Sequence, residues 1–258
     1  MSSLPANPLK RALAERRRLV GLWCSFATGA TVEALAEAGF DWLLLDMEHS
    51  PSELAVLHVQ LMALAGRRVQ PVVRVPVLDA IAIKRVLDLG APNLMIPNVN
   101  SAEEARRAVA YTRFPPQGVR GMATSTRAGG YGRHKDFVAR ANDEIGVIVQ
   151  IESRAALAAL DEICRVPGVD AVFIGPSDLA AEMGYTGKSR DPAVLAAISE
   201  ANRVAAAAGK AIGLLYGDGD VQAFFDMGMS LVACGSDVGL LVKGADALAA
   251  RFNAAAAA

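Results

Sequence analysis

Eight times along this chain a short, unbroken apolar run is followed by a longer stretch with helical punctuation, and few folds accept that alternation. The runs are Val20–Phe26, Asp41–Asp46, Gln70–Val75, Asn93–Pro97, Ile145–Glu152, Val169–Ile174, Ala211–Tyr216 and Leu231–Gly235. They are apolar nearly throughout, as parallel strands covered on both faces must be. Between them lie Ala30–Ala38, Glu53–Ala65, Ala80–Leu89, Ala102–Thr112, Arg154–Ile163 and Ala193–Ala208. Ser101 precedes Glu104 at capping-box spacing, and Gly39, Gly66, Gly90 and Gly209 follow the helices they would end. The pattern predicts one (β/α)8 TIM barrel over residues 1–258, with a short helical segment before it and a helix at its end. At 258 residues the chain has the length such a barrel needs, roughly 250. The competing fold is an open doubly wound sheet. Its dinucleotide-binding form requires G-x-G-x-x-G directly after the first strand, where this chain carries Ala27-Thr28-Gly29-Ala30.

Charge removes several function classes. With 26 basic and 27 acidic residues the net charge is −1, too balanced to bind nucleic acid or an anionic membrane surface. Arg16 to Arg18, a short cationic run, reads as a solvated face. No stretch reaches the ~18 consecutive apolar residues of a membrane span. The N-terminal residues lack an apolar core of signal-peptide length. Cys24, Cys164 and Cys234 are sparse, odd in number and free of CxxC spacing, which fits a reducing compartment. A soluble, cytoplasmic protein is expected.

In a barrel the chemistry sits where strands end. The second strand ends in Asp46-Met47-Glu48-His49, the third in Arg74, and the fifth in Gln150-Ile151-Glu152. The sixth is followed by Gly175-Pro176-Ser177-Asp178. Gln150 and Glu152 are two apart and share one side of a strand; if that side is inward, both enter the site and Ile151 joins the outer layer. Glu152 and Asp178, from neighbouring strands, then suit a hard octahedral ion such as Mg²⁺ or Mn²⁺, with positions left for substrate and water. Asp178 and Ser177 also precede a helical stretch, so capping competes with ligation there. His49 has Asp46 three residues before it, a pairing that can fix an imidazole tautomer for proton transfer. His58 falls inside the next helix and His134 opens another, so neither is favoured. Arg74, a costly charge at a strand end, matches a substrate carboxylate with its planar fork.

Lys10, Lys84, Lys135, Lys188, Lys210 and Lys243 all fall outside the C-terminal strand ends, so a Schiff-base nucleophile has no candidate. Enolate chemistry must then rely on a metal as the electron sink. The stretch from Phe114 to Arg133, rich in Gly, Pro, Ser and Thr, is long for a connection in a compact domain and is expected to be functional or disordered; part of it could reach over the barrel mouth, on a path the sequence does not specify.

Five segments in order, Phe40–Pro51, Lys84–Gly90, Phe114–Gly121, Ile148–Glu152 and Phe173–Leu179, resemble the HpcH/HpaI family of class II pyruvate aldolases. The likeness spans roughly residues 19 to 245. It implies that Glu152 and Asp178 hold Mg²⁺, Mn²⁺ or Co²⁺, with Gln150 beside them. It implies that Arg74 binds the pyruvate carboxylate, helped by the backbone around Pro176 and Ser177, and offsets enolate charge. His49, oriented by Asp46, would be the base, working through a water on the metal. Asp88 resembles an acidic residue that relatives send into a neighbouring subunit's site. Relatives are commonly hexamers, dimers of trimers, with terminal helices exchanged, so the C-terminal helix is expected on a neighbour. Met47, Asn98 and Gly129-Gly130-Tyr131 depart from the family pattern, at the rim or in the long loop. With Leu215, Tyr131 and the 121–132 loop they bear on the choice of aldehyde.

The resulting expectation is reversible aldol cleavage of a 4-hydroxy-2-oxo acid to pyruvate and an aldehyde. Two alternatives stand beside it: a malyl- or citramalyl-CoA-type lyase, for which no adenine-binding feature is visible, and an inactive barrel kept as a binding subunit. The presence of Asp46, His49, Arg74, Gln150, Glu152 and Asp178 together weighs against the second.

Overall fold

The computed structural model describes residues 3–217 and 221–256. Eight parallel strands close on themselves in sequence order: β1 (Leu19–Cys24), β2 (Trp42–Asp46), β3 (Gln70–Arg74), β4 (Asn93–Ile96), β5 (Gly146–Ile151), β6 (Ala171–Ile174), β7 (Ala211–Leu215) and β8 (Leu231–Ser236), the last pairing back to β1. Every expected apolar run is a strand, and closure leaves no sheet edge to protect. Around them lie α1 (Pro8–Ala14), α2 (Gly29–Leu35), α3 (Leu54–Ala63), α4 (Ala80–Asp88), α5 (Ala102–Thr112), α6 (Phe137–Glu144), α7 (Arg154–Ala158), α8 (Leu160–Cys164), α9 (Pro176–Glu182), α10 (Pro192–Ala207), α11 (Val221–Asp226) and α12 (Asp237–Ala256). The helix expected over Arg154–Ile163 is thus two, broken at Ala159. No helix among the described residues is long and apolar enough to cross a membrane.

Strand parity sorts the core into two layers. Leu43, Leu45, Val73, Leu94, Val147, Val149 and Ile151 face outward and pack beneath the helices. Trp23, Trp42, Leu44, Val72, Met95, Ile148 and Phe173 face inward and fill the barrel axis. Trp42 is wholly buried, and it fits because residue 21 is glycine: a Cβ there would stand 2.1 Å from the indole. Helix α1 closes the bottom of the barrel by adding Leu9, Ala12 and Leu13 to that inner cluster. It starts on Asn7, whose side chain accepts from the Lys10 N–H and donates to buried Asn93 at 2.8 Å, fastening the plug to β4.

Helix ends follow the expected chemistry. Ser101 accepts from the Glu104 N–H at 3.2 Å, and Glu104 reaches back to the Asn100 N–H at 2.7 Å. Gly39, Gly66, Gly90 and Gly209 all adopt positive φ after their helices. The long connection corrects an expectation. It does not lie over the barrel mouth of its own chain: Arg120 pairs with Asp88 at the end of α4, and Arg127 donates to the carbonyls of Leu61, in the last turn of α3, and Leu89, just after α4. A helix that follows a strand runs back toward the strand starts, so the segment after α5 begins at the far pole.

Candidate functional site

At the C-terminal pole the inward positions become polar. Trp23, Asp46, Arg74, Gln150 and Glu152 continue the inner layer upward from β1, β2, β3 and β5. Glu48, two residues beyond Asp46, follows the same parity into the mouth. Gln150 and Glu152 are both buried and hydrogen-bonded to each other, with Ile151 in the outer layer, as the spacing predicts.

Arg74 is the centre of the charge arrangement. Its Nε and Nη2 grip Asp46 at 2.9 and 2.6 Å, and its Nη1 reaches Glu48 at 2.8 Å. The Trp23 indole N–H donates to Asp46 at 3.1 Å, and the Arg74 guanidinium lies 4.9 Å above the Trp23 ring. Burial pushes the Asp46 carboxyl upward, but the hydrogen bonds and charge of Arg74, with the Glu48 N–H and the Trp23 indole, outweigh it and hold the group below the usual carboxylate range. The Asp46 carboxylate does meet His49, but through the backbone N–H at 3.3 Å rather than the imidazole. The expected Asp–His side-chain pair is replaced by an Asp–Arg clamp. The imidazole itself is 68% exposed at the mouth, its Nε2 3.9 Å from Glu48.

Four carboxylate residues, Glu48, Glu152, Asp178 and Glu182, line one cavity of about 470 Å³ together with His49 and Asn98. Burial raises Glu48 above the ordinary range, against the pull of Arg74, and the negative charges of Asp46 and Asp178 add to the rise. Burial also raises Glu152, reinforced by Glu48 and Asp178 and opposed by the Asn98 N–H, which donates to Glu152 at 2.7 Å. Asn98 holds φ +54, a backbone setting that asparagine tolerates better than most residues. Asp178 stands exposed in the first turn of α9. The cap of that helix is Gly175, so neither Ser177 nor Asp178 is used as an N-cap and the carboxylate is free for other work.

These residues fit a hard divalent cation. Gln150 Oε1 is buried without a hydrogen-bond partner, and two raised carboxyls await positive charge beside it. Glycine at 175 makes the cradle: a Cβ there would come within 2.6 Å of Glu152 Oε2. Among the described residues no three His, Cys, Asp or Glu side chains gather closely enough to hold an ion alone.

The remaining sequence candidates divide. Pro176 and Ser177 open α9 next to Asp178, and Leu215, at the end of β7, packs on the inner cluster that contains Trp23. Asp88 is not brought to this site: it lies near the other pole, paired with Arg120 at 2.8 Å. Tyr131 is likewise exposed on the long connection, away from this cavity. The sequence reading assigned no role to Trp23; it named Glu48 and Gly175 only within the strand-end stretches, and Asn98 only as a departure from the family pattern. Parity was the available signal for Glu48, since Asp46 and Glu48 stand in the same relation as Gln150 and Glu152.

The sequence profile of the HpcH/HpaI aldolase/citrate lyase family matches residues 19–244. A 4-hydroxy-2-oxo-heptane-1,7-dioate aldolase of Salmonella dublin is 46% identical over 250 residues, which cover 96% of this chain and 95% of that one. The crystal structure of an HpcH/HpaI aldolase/citrate lyase family protein from Burkholderia cenocepacia J2315 superposes with a TM-score of 0.92 at 37% identity, covering 96% of this chain and all of that one. The citrate synthase SbnG superposes with a TM-score of 0.86 at 27% identity, over 97% and 99% of the two chains.

Proposed function

This chain belongs to the HpcH/HpaI aldolase/citrate lyase family, and from that premise we propose that it cleaves a 4-hydroxy-2-oxo acid reversibly to pyruvate, or a close 2-oxo acid, and an aldehyde. The observation that carries the proposal is the clamped Arg74 joined to Glu48 beside the cavity that Glu48, Glu152 and Asp178 line, an anion receptor next to a cation receptor.

Glu152 and Asp178 would hold the divalent ion, Mg²⁺, Mn²⁺ or Co²⁺, and a bound ion supplies Lewis-acid stabilisation of the negative charge that develops on the 2-oxo acid. Arg74, fixed by Asp46 on two of its nitrogens, offers Nη1 to the substrate carboxylate in exchange for Glu48. Pro176 opens α9 without an N–H of its own, and the backbone N–H groups of Ser177 and Asp178 that follow it add donation. His49 takes the proton of the C4 hydroxyl, the C3–C4 pair moves toward C2, and the aldehyde departs from the pyruvate enolate. Proton return to C3 completes pyruvate, and condensation runs the same steps backward. Leu215 and Trp23 supply the apolar floor.

We also propose a homo-oligomer of the dimer-of-trimers type, with α12 laid on a neighbouring copy and Asp88 turned toward a neighbour's site. In support, α12 leaves Leu240, Leu241, Val242, Leu248 and Phe252 exposed, large apolar side chains that a neighbouring copy could cover. The three cysteines are free, which supports a reducing, cytoplasmic setting.

The decisive experiment follows deuterium exchange into the methyl group of pyruvate by NMR, with EDTA and after Mg²⁺ or Mn²⁺ is restored. Exchange stopped by chelator and recovered with metal is expected. Exchange that ignores chelator but is trapped by borohydride would instead identify a lysine that none of the strand ends supplies. Absence of exchange under every condition would favour the CoA-lyase or inactive-barrel alternatives.

A further inference from the structure

Asp237 is 4% exposed, at the junction where β8 passes directly into α12, and no step proposed above uses it. Its carboxylate does not cap the helix it opens. That task falls to Ser236, whose hydroxyl accepts from the Gly239 N–H at 3.0 Å. Asp237 turns sideways to the end of the neighbouring β1: Oδ1 accepts from the Ser25 N–H at 2.9 Å and Oδ2 from the Phe26 N–H at 3.0 Å. Oδ1 also accepts from the Val238 N–H at 2.8 Å, so two of the three bonds leave α12 for β1. An irregularity in the ladder sets this up. Gly21 pairs with Ala233 but Trp23 pairs with Ser236, so β8 carries one residue more than β1 between the two contacts. Such a bulge bends the strand and re-aims the side chains beyond it, here Ser236 and Asp237.

The turn that Asp237 grips is itself under strain. β1 ends at Cys24, and the next two N–H groups go to the carboxylate rather than to a strand. Ala27 follows at φ +53, a left-handed setting that is costly for a residue with a Cβ. Thr28 then caps α2 by accepting from the Thr31 N–H at 3.1 Å. Backbone strain persists only where the surroundings over-determine it, and here they are Asp237 on one side and the α2 cap on the other. Two residues before the turn stands Trp23, with the Arg74 guanidinium 4.9 Å above its ring and its indole N–H on Asp46 at 3.1 Å. The end of β1 thus sets the surface against which the Arg74 fork is oriented.

We infer that Asp237 is a positioning residue of the proposed aldolase site: it pins the β1–α2 turn in its left-handed setting and so holds Trp23 where Arg74 can present Nη1 to a substrate carboxylate. The inference rests on the reading of Arg74 given above. A carboxylate that only anchored α12 would need the Val238 N–H and the helix start, not a grip on the two N–H groups that end β1.

The chain has two tryptophans, Trp23 and Trp42, so the whole protein grown with 5-fluorotryptophan gives two ¹⁹F resonances, which Trp23→Phe assigns. Asp237→Asn sets an amide N–H₂ where one carboxylate oxygen stood, against a backbone N–H. It is expected to move or broaden the Trp23 resonance and leave that of Trp42 in place. In methyl exchange it should raise KM for pyruvate by about tenfold, the lower end of what losing an outer partner of a binding group costs. Mn²⁺ affinity should be unchanged, because Glu152 and Asp178 follow β5 and β6, across the barrel from β1. Ala27→Val reaches the same turn without touching α12, since a β-branched residue does not hold the left-handed setting. It should produce the same changes, and it decides the matter if Asp237→Asn does not fold. Ala27→Gly added to Asp237→Asn should restore both the resonance and KM, because glycine keeps that setting without being held; an anchor for α12 alone predicts no such rescue. An unmoved Trp23 resonance in both single variants, an equal loss of Mn²⁺ affinity, or a double variant no better than Asp237→Asn would each overturn the assignment. A wild-type protein that exchanges no pyruvate would overturn the reading of the site instead, while the Trp23 resonance would still report whether Asp237 holds the turn.

Discussion

At position 175 a single added methyl group would stand 2.6 Å from Glu152 Oε2 and 2.9 Å from Glu152 Cβ, while the backbone there has an ordinary negative φ. Gly175→Ala should therefore spare the fold and displace one carboxylate. We expect Mn²⁺ affinity to fall by about 10- to 100-fold, the usual cost of disturbing a group that orients a metal ligand, read from the free Mn²⁺ resonance. Unchanged affinity would detach Glu152 from the cation. Asp46 makes a different prediction. Its carboxyl sits below the usual range in the folded chain, so its contribution is fully present above an ordinary aspartate pKa of about 3.9 and is lost as pH falls through the lower folded value. Asp46→Asn leaves Arg74 buried and half-gripped, and should cost about 3–5 kcal/mol at neutral pH. In urea unfolding the gap between wild type and variant should narrow toward pH 3; a constant gap would mean that packing, not charge, is responsible. At this scale the sequence was only partly readable. Arg74, Gln150 and Glu152 stood out because a polar side chain at the end of an apolar run has few other reasons to be there. Asp46 was visible for the same reason, but its partner was not: proximity in sequence pointed to His49, whereas the parallel register sets Arg74 directly opposite it.

Whole elements were easier to read than partners. All eight strands lie within the apolar runs or one residue from them, because strands buried on both faces cannot be interrupted by polar residues. The N-terminal helix was visible as a helix, but its role was not, since Leu9 and Leu13 could have packed on any surface. Only closure of the barrel shows that they fill its open bottom. Leu13 is 1% exposed there, and Leu13→Ala should destabilise the protein by about 2–5 kcal/mol in denaturant unfolding. Metal-dependent pyruvate exchange should persist below the transition, because the plug and the carboxylates occupy opposite poles. Loss of exchange in a folded Leu13→Ala protein would show that the inner column couples the two ends. The connection between α5 and α6 was misplaced for lack of one topological step: chain direction in a βα unit already sends it to the pole where Asp88 and Leu89 receive it.

For the molecule as a whole, the cation site links metal, pH and stability in a way that needs no substrate. Burial raises both Glu48 and Glu152 above their ordinary values, and the surrounding carboxylates raise them further. Between an ordinary glutamate pKa of about 4.3 and those higher folded values, the native chain binds more protons than the unfolded chain. In the metal-free protein these two groups therefore favour folding at the acid side of that window, and the favour disappears as pH rises through it. The Asp46 effect lies lower on the pH scale and has the opposite sign, so the two are separable. A divalent cation replaces the missing protons, and its stabilisation should grow with pH as the carboxyls ionise. Thermal unfolding with EDTA or with excess Mn²⁺ should show a larger rise in Tm at about pH 7.5 than at about pH 5. Glu152→Gln, which removes one charge while keeping the shape, should reduce both the pH trend of the metal-free protein and the Mn²⁺ response. If the shift in Tm is equal at the two pH values, or survives Glu152→Gln intact, the ion is held somewhere other than between β5 and α9.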